Sequence, residues 1–185
     1  MKRLLLKTMY TLYYGKKRVH FLAMPRTASK SCGAALTKLG AVKHGGHHSV
    51  DVYHTTVEPG DLVLTTVRNH WDWFVSFWHL NGCPDKFENY VPALIKNSEW
   101  IQRNPDCTRC ELFWKYVPLS SIVLRYESIE QDFTNVLVSN GFPKPTLERV
   151  GKPKPKPYQS YYRPETIQLV HRLFSDEITK YRYEF

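Results

Sequence analysis

The stretch Val19–Leu36, VHFLAMPRTASKSCGAAL, predicts a buried strand, a tight polar turn and a helix. Val19–Met24 is a short apolar run rich in β-forming residues. Pro25 ends that run, because proline has no N–H to give to a strand ladder. The turn that follows consists of small residues, so a ligand can approach its backbone closely. Thr27 and Ser29 are its two candidate N-caps.

The helix predicted over Cys32–Leu39 directs its free N–H groups and the positive end of its dipole toward the turn. Five basic or hydroxyl residues crowd that end: Arg26, Thr27, Ser29, Lys30 and Ser31. This composition favours a phosphate or a sulfate group. Ser29-Lys30-Ser31 is close to the ending of a Walker A motif, but Met24 and Ser29 replace both glycines, so an ordinary ATP loop is a poor match. The structural alternative is a solvated basic turn.

Length and composition indicate one globular domain, residues 1–185. Hydrophobic residues make up 42% of the chain and aromatic residues 14%, which argues against disorder. No apolar run is long enough to span a membrane, so we expect a cytoplasmic bacterial or viral protein or a trimmed domain of a longer one. The net charge of +9 favours an anionic partner, which charge alone leaves open among nucleotides, acidic glycans and nucleic acid.

Strands alternate with helices along the chain, which predicts parallel pairing. Leu62–Val67 and Ser121–Arg125 are two further strands, and Ala41–Lys43 is a short one. We therefore expect an α/β, single-domain, P-loop-like three-layer fold with a central, mostly parallel sheet flanked by helices. In such sheets, ligands bind at the carboxyl ends of the strands. Four chemically rich segments are predicted on that one rim: 25–31, 44–49, 68–69 and 125–127.

Two further helices are predicted. Trp71–Leu80 is an aromatic helix, and most of its tryptophans are expected in the core. Pro164 begins a final amphipathic helix that runs to about Tyr181. Residues 1–18 are expected to form a short strand or a helix.

Three of these segments resemble motifs of the sulfotransferases that use 3′-phosphoadenosine 5′-phosphosulfate (PAPS). Residues 25–31, PRTASKS, resemble the family's 5′-phosphosulfate loop, and residues 66–76, TVRNHWDWFVS, resemble its 3′-phosphate motif with the same spacing from Arg68 to Ser76. Residues 125–127, RYE, are similar to the family's strand end with Tyr-Glu-Asp. The resemblance runs from Val19 to Phe185, and it is nearest to glycan-modifying and bacterial or viral members. Three positions depart from the pattern: Arg26 for lysine, His70 for proline and Trp73 for arginine.

The resemblance implies PAPS as the donor, 3′,5′-adenosine bisphosphate as the product, and no obligatory metal. Backbone N–H groups of the 25–31 loop would bind the 5′-phosphosulfate. The loop residues implied in this are Arg26, Thr27, Ala28, Ser29, Lys30 and Ser31. Arg26 and Lys30 would neutralise the charge that develops on the bridging oxygen. Arg68 and Ser76 would bind the 3′-phosphate, with Lys154 and Tyr158 covering the nucleotide.

The resemblance favours a carbohydrate hydroxyl as the acceptor. A base is needed to take the proton of that hydroxyl. The histidine-rich segment His44-Gly-Gly-His47-His48 is on the predicted rim, and histidine titrates near neutral pH. His48 is the first candidate, His47 the second and His44 the third. Glu127 is a weaker candidate, because a structural carboxylate paired with arginine explains it better.

Three rival functions remain open. A P-loop nucleotide phosphotransferase or kinase requires a Walker B carboxylate after a strand, but Leu62–Val67 is followed by Arg68. A basic nucleic-acid-binding module would carry basic and aromatic residues along one surface, whereas here the basic residues cluster at strand ends. A sulfotransferase-like binding protein without catalysis is the third, because Arg26 replaces the usual lysine.

Overall fold

The computed structural model describes residues 8–45, 57–96, 120–148, 150 and 156–185. These residues fall into two compact units, each described by itself. The first comprises the described parts of residues 1–67 and 115–151, and the second those of 68–114 and 152–185. No helix in the described residues is long and apolar enough to cross a membrane.

The first unit contains a five-stranded sheet. Its strands are β1 (Thr8–Tyr14), β2 (Lys17–Leu22), β3 (Val42–Gly45), β4 (Leu62–Val67) and β5 (Ile122–Arg125). The strand order is β3-β1-β2-β4-β5. β1 pairs antiparallel with both β2 and β3, whereas β2–β4 and β4–β5 are parallel. The chain is thus an α/β protein with a mixed sheet.

The sheet is thus mixed rather than mostly parallel in its pairing, and β1 is the reason. β1 joins β2 through a two-residue loop, with Tyr14 opposite Lys17. Gly15 is the first loop residue and has φ 61°, which a two-residue turn between antiparallel strands favours. A hairpin this tight forces β1 to run antiparallel to β2.

Helices α1 (Ser29–Lys38) and α4 (Ile129–Ser139) pack on one face of this sheet. The strands present alternate apolar residues to them, as strand geometry requires. Phe21 of β2 meets Phe133 of α4 edge to face, with ring centroids 5.9 Å apart. The core on this face consists of Leu12, Val19, Phe21, Cys32, Ala35, Leu36, Ala41, Leu64, Leu124, Phe133, Leu137 and Phe142. Burial raises the pKa of the Cys32 thiol to about 12.

The second unit is helical and rich in aromatic residues. It contains α2 (His70–Leu80), α3 (Phe87–Lys96), a 3₁₀ turn (Tyr158–Tyr161), α5 (Pro164–Leu173) and α6 (Ser175–Lys180). Trp71, Trp73 and Phe74 are each 2% exposed. The prediction that most of the α2 tryptophans are core is confirmed for the first two.

Candidate functional site

The turn between β2 and α1 has an unusual backbone. Arg26 has φ 66° and Ala28 has φ 65°, both in the left-handed region that residues with a Cβ rarely adopt. Ala28 is the N-cap of α1, and no side chain of the described residues caps that end. Alternation of left-handed residues directs successive N–H groups into a concave surface that suits an anion. Strain of this kind, which costs about 1–3 kcal/mol for each such residue, is concentrated at functional sites.

Neither predicted N-cap is correct, because Ala28 holds that position and Ser29 is the first residue of α1, while Thr27 anchors the turn. The Thr27 hydroxyl is fully buried and donates to the Met24 carbonyl oxygen at 2.9 Å. Since its single proton is used there, the buried Thr66 hydroxyl of β4 donates to Thr27 Oγ1. The Thr27 side chain therefore fixes the turn against the sheet, and its backbone N–H is what it offers to a ligand.

The remaining loop residues differ in exposure. Lys30 is exposed, Arg26 and Ser29 are half-buried, and Ser31 is buried. Ser31 Oγ accepts a hydrogen bond from the Val150 N–H at 3.1 Å. The hydroxyl proton of Ser31 is not used in that bond. Val150 precedes the lysine- and proline-rich segment whose Lys154 lies outside the described residues.

The strand directions confirm part of the predicted rim. Because β1 runs against both β2 and β3, the strands β2, β3, β4 and β5 all run the same way. The 25–31 loop, the end of β3 and the end of β5 thus lie at one edge of the sheet. His44 belongs to β3, so the loop predicted over 44–49 begins later than expected. His47 and His48 lie outside the described residues.

Glu127 is 36% exposed on its side chain and lies 3.8 Å from Arg125 Nε. This contact confirms the interpretation of Glu127 as a carboxylate paired with arginine. Arg125 ends β5, and Glu127 lies on the short 3₁₀ turn that follows, Tyr126–Ser128.

In the second unit, Arg68 is 5% exposed and lies just before α2. Its Nε donates to Asp72 Oδ2 at 2.7 Å, and a terminal nitrogen of the same guanidinium lies 2.5 Å from that oxygen. Asp72 therefore orients the guanidinium. Ser76 is 2% exposed and follows two helical turns after Arg68.

Asn69 is a residue whose role the sequence did not predict. Its side-chain oxygen accepts from the N–H groups of Trp71 and Asp72, at 3.1 and 3.3 Å, and so caps α2. Its amide nitrogen donates to the Glu184 carbonyl at 2.8 Å and to Tyr158 Oη at 3.4 Å. Tyr158, a predicted nucleotide contact, is thereby linked to the cap of the helix that carries Ser76. The signal was an asparagine directly before an aromatic helix.

The two departures from the resemblance in α2 are packing residues. The His70 ring lies between Phe174 and Tyr183, with centroids 4.3 and 6.0 Å away. Burial lowers the pKa of His70 to about 3. Trp73 stacks on Phe77 at 4.9 Å. These side chains support the helix rather than contribute chemistry.

A second polar cluster, in the first unit, was not predicted. It joins Thr11, Arg18, His20, His44 and Asp61 on the face of the sheet opposite α1 and α4. The only sequence signal was a histidine in the middle of an apolar strand, because the contacts depend on strand register.

A scan against protein-family models and searches of curated proteins and of solved structures each found no match to this chain.

Proposed function

We propose that this protein transfers a sulfuryl group from PAPS to a hydroxyl acceptor, most consistent with a carbohydrate. The observation that carries the proposal is the turn before α1, where two residues with side chains hold positive φ at a helix N-terminus that no described side chain caps. Such a turn offers backbone N–H groups to an anion without any glycine. We also propose that the fold is P-loop-like, with three layers in which helices flank the sheet.

The 5′-phosphosulfate would bind the N–H groups of Thr27, Ala28 and Ser29. Ser31 still has a hydroxyl proton to donate, and the exposed Lys30 supplies a mobile charge. Arg26 and Lys30 would stabilise the negative charge that builds on the bridging oxygen as the S–O bond breaks. Arg26 acts through charge and hydrogen bonds, because a guanidinium does not release a proton at neutral pH.

Arg68 and Ser76 would bind the 3′-phosphate, with Lys154 and Tyr158 over the nucleotide. The proposed 3′-phosphate site is supported by the buried guanidinium of Arg68, which Asp72 holds in a fixed orientation. A guanidinium whose direction is set in advance loses little side-chain entropy when it binds a phosphate.

The reaction would be an in-line displacement that resembles phosphoryl transfer. The acceptor oxygen bonds to sulfur, the bond from sulfur to the bridging oxygen breaks, and 3′,5′-adenosine bisphosphate leaves with the electron pair. A histidine of segment 44–48 would take the acceptor proton. The sequence favours His48 over His47.

The test is transfer of labelled sulfate from PAPS to a mixture of desulfated glycosaminoglycans. Lys30→Ala removes the mobile charge and should lower transfer by about a hundredfold. Lys38→Ala, at the other end of α1, is the matched control and should leave transfer unchanged. Equal rates for both variants would contradict the assigned role of the loop. Bisphosphate binding without any transfer would contradict the glycan acceptor.

A further inference from the structure

The unpredicted polar cluster of the first unit is a chain of hydrogen bonds. Asp61 Oδ2 lies 2.9 Å from His20 Nε2, and His20 Nδ1 lies 3.0 Å from Thr11 Oγ1. Thr11 Oγ1 in turn lies 3.1 Å from His44 Nε2. Thr11 and His20 are fully buried, the Asp61 side chain is 7% exposed, and His44 is half-buried. The chain thus runs from a buried carboxylate to a histidine with access to solvent.

Asp61 is ionised at neutral pH. Burial raises the pKa of its carboxyl, but hydrogen bonds from the Glu58 N–H, His20 and Arg18 outweigh that effect and lower it. A carboxylate only accepts, so His20 carries its proton on Nε2. Burial lowers the pKa of His20; Asp61 opposes that effect, and Arg18 and His44 add to it. His20 is therefore neutral, and its Nδ1 is an acceptor.

These two facts fix the direction of the remaining bonds. The Thr11 hydroxyl has one proton, and it donates that proton to His20 Nδ1. Thr11 Oγ1 can then only accept from His44, so neutral His44 carries its proton on Nε2. The lone pair of His44 is consequently on Nδ1, at the outer end of the chain.

We propose that Asp61, His20, Thr11 and His44 form a proton relay whose proton-accepting atom is Nδ1 of His44. In the transfer reaction, on which this part of the inference rests, His44 Nδ1 takes the proton of the acceptor hydroxyl. His44 can then pass its Nε2 proton to Thr11, and Thr11 passes its own to His20 Nδ1. The positive charge then lies on His20, where the Asp61 carboxylate attracts it, while burial and Arg18, which is bonded to the same carboxylate at 2.9 Å, oppose it. His44 is the catalytic base, and the other three are positioning residues.

The position of His44 fits this role. His44 is opposite Met9, and Met9 is opposite Leu22, so the three residues form one row across neighbouring strands. Two strand spacings separate His44 from Leu22, which is about 10 Å. Leu22 ends β2, three residues before Pro25 opens the turn to α1. The base and the proposed phosphosulfate loop are therefore at the same edge of the sheet.

The relay is tested by nitrogen NMR of the histidine rings in the whole protein, labelled with ¹⁵N, at pH 8. We expect both His20 and His44 to be protonated on Nε2. Thr11→Val keeps the side-chain shape but removes the hydroxyl, so the ring nitrogens of both histidines should shift. Thr65→Val is the matched control: Thr65 is fully buried, and its hydroxyl donates to the Leu22 carbonyl outside the relay. A proton on Nδ1 of His44, or ring nitrogens unchanged by Thr11→Val, would overturn the relay.

The catalytic role is tested by transfer from PAPS to the glycosaminoglycan mixture. His44→Gln should lower kcat by about a hundredfold, as expected for loss of a general base, and should leave bisphosphate affinity unchanged. Thr11→Val should cause a smaller loss, roughly tenfold, and Thr65→Val none. If His48→Gln abolishes transfer and His44→Gln does not, the assignment of the base is wrong and the proposed function stands. If the wild type neither binds bisphosphate nor transfers sulfate, the proposed function fails, and the NMR result alone decides the relay.

Discussion

His70 should make the second unit sensitive to acid. Its pKa is lowered to about 3 by burial, whereas an unfolded chain has the ordinary histidine value of about 6.5. Below pH 6.5, His70 binds a proton in the unfolded state but stays neutral in the folded state. The stabilising contribution of neutral His70 is therefore complete above pH 6.5 and is lost as the pH falls from 6.5 toward 3.

The size of the effect follows from the two pKa values. Between pH 8 and pH 5 the free energy of unfolding should fall by about 2 kcal/mol through this residue alone. The tryptophans that the structure describes, Trp71, Trp73 and Trp78, all lie in α2, so tryptophan fluorescence reports the unfolding of the second unit. Urea unfolding followed by tryptophan fluorescence at both pH values is the assay.

The comparison is with His70→Leu, which removes the titrating ring. The variant should lose about 2 kcal/mol less than the wild type between pH 8 and pH 5. His171→Leu is the control, because His171 is an exposed histidine of the same unit whose ring lies over Trp71. Its pH dependence should match that of the wild type. If His70→Leu also matches the wild type, His70 does not resist protonation and the packing argument is wrong.

Two further predictions concern the first unit. Ala28→Gly should raise the free energy of unfolding by about 0.5–1 kcal/mol, because glycine adopts positive φ without strain. Ala34→Gly, at an exposed position inside α1, should lower the free energy of unfolding by about 1 kcal/mol. Urea unfolding followed by circular dichroism measures both variants. If both substitutions lower the free energy of unfolding, the backbone at Ala28 is not strained. The buried Cys32 thiol, with its pKa raised to about 12, should react with iodoacetamide at pH 8 far more slowly than the exposed Cys83, as peptide mass spectrometry would show. Equal rates would mean that Cys32 is accessible.

The elements with a strong hydrophobic signal were predictable. Leu62–Val67 forms a strand with the predicted bounds, because a run of apolar and β-branched residues between Asp61 and Arg68 has few alternatives. The helix predicted over Trp71–Leu80 begins one residue earlier, at His70, where Asn69 caps it. An apolar run and a capping residue are both local features of a sequence, so the elements that depend on them can be recognised there.

Elements that depend on distant pairing were predicted less well. The sequence before Val19 predicts either a strand or a helix, and in the structure it contains β1, an antiparallel partner for two strands. The last helix was predicted from Pro164 to about Tyr181, but it divides into two at Phe174, which is 1% exposed. The gain from burying that ring outweighs helix continuity, and sequence periodicity does not register such a tertiary effect.

The candidate site shows the same division. The residue types of segment 25–31 predict a turn that binds an anion, and the predicted succession of strand, turn and helix is confirmed, with Ser29 as the first residue of α1. The positive φ values of Arg26 and Ala28 could not be predicted, since neither residue prefers that conformation. The bonds of His20 to Thr11 and Asp61 depend on β1–β2 register and on the turn before β4.

The most direct test of the proposed donor site is calorimetric titration with 3′,5′-adenosine bisphosphate, with ATP as the competing ligand. The proposal predicts micromolar binding of the bisphosphate, weak binding of ATP, and a loss of about tenfold or more in Arg68→Ala. Arg172→Ala, which removes an exposed arginine of α5, should bind as the wild type does. Absence of bisphosphate binding, or equal affinity for ATP, would contradict the proposal that this protein uses PAPS.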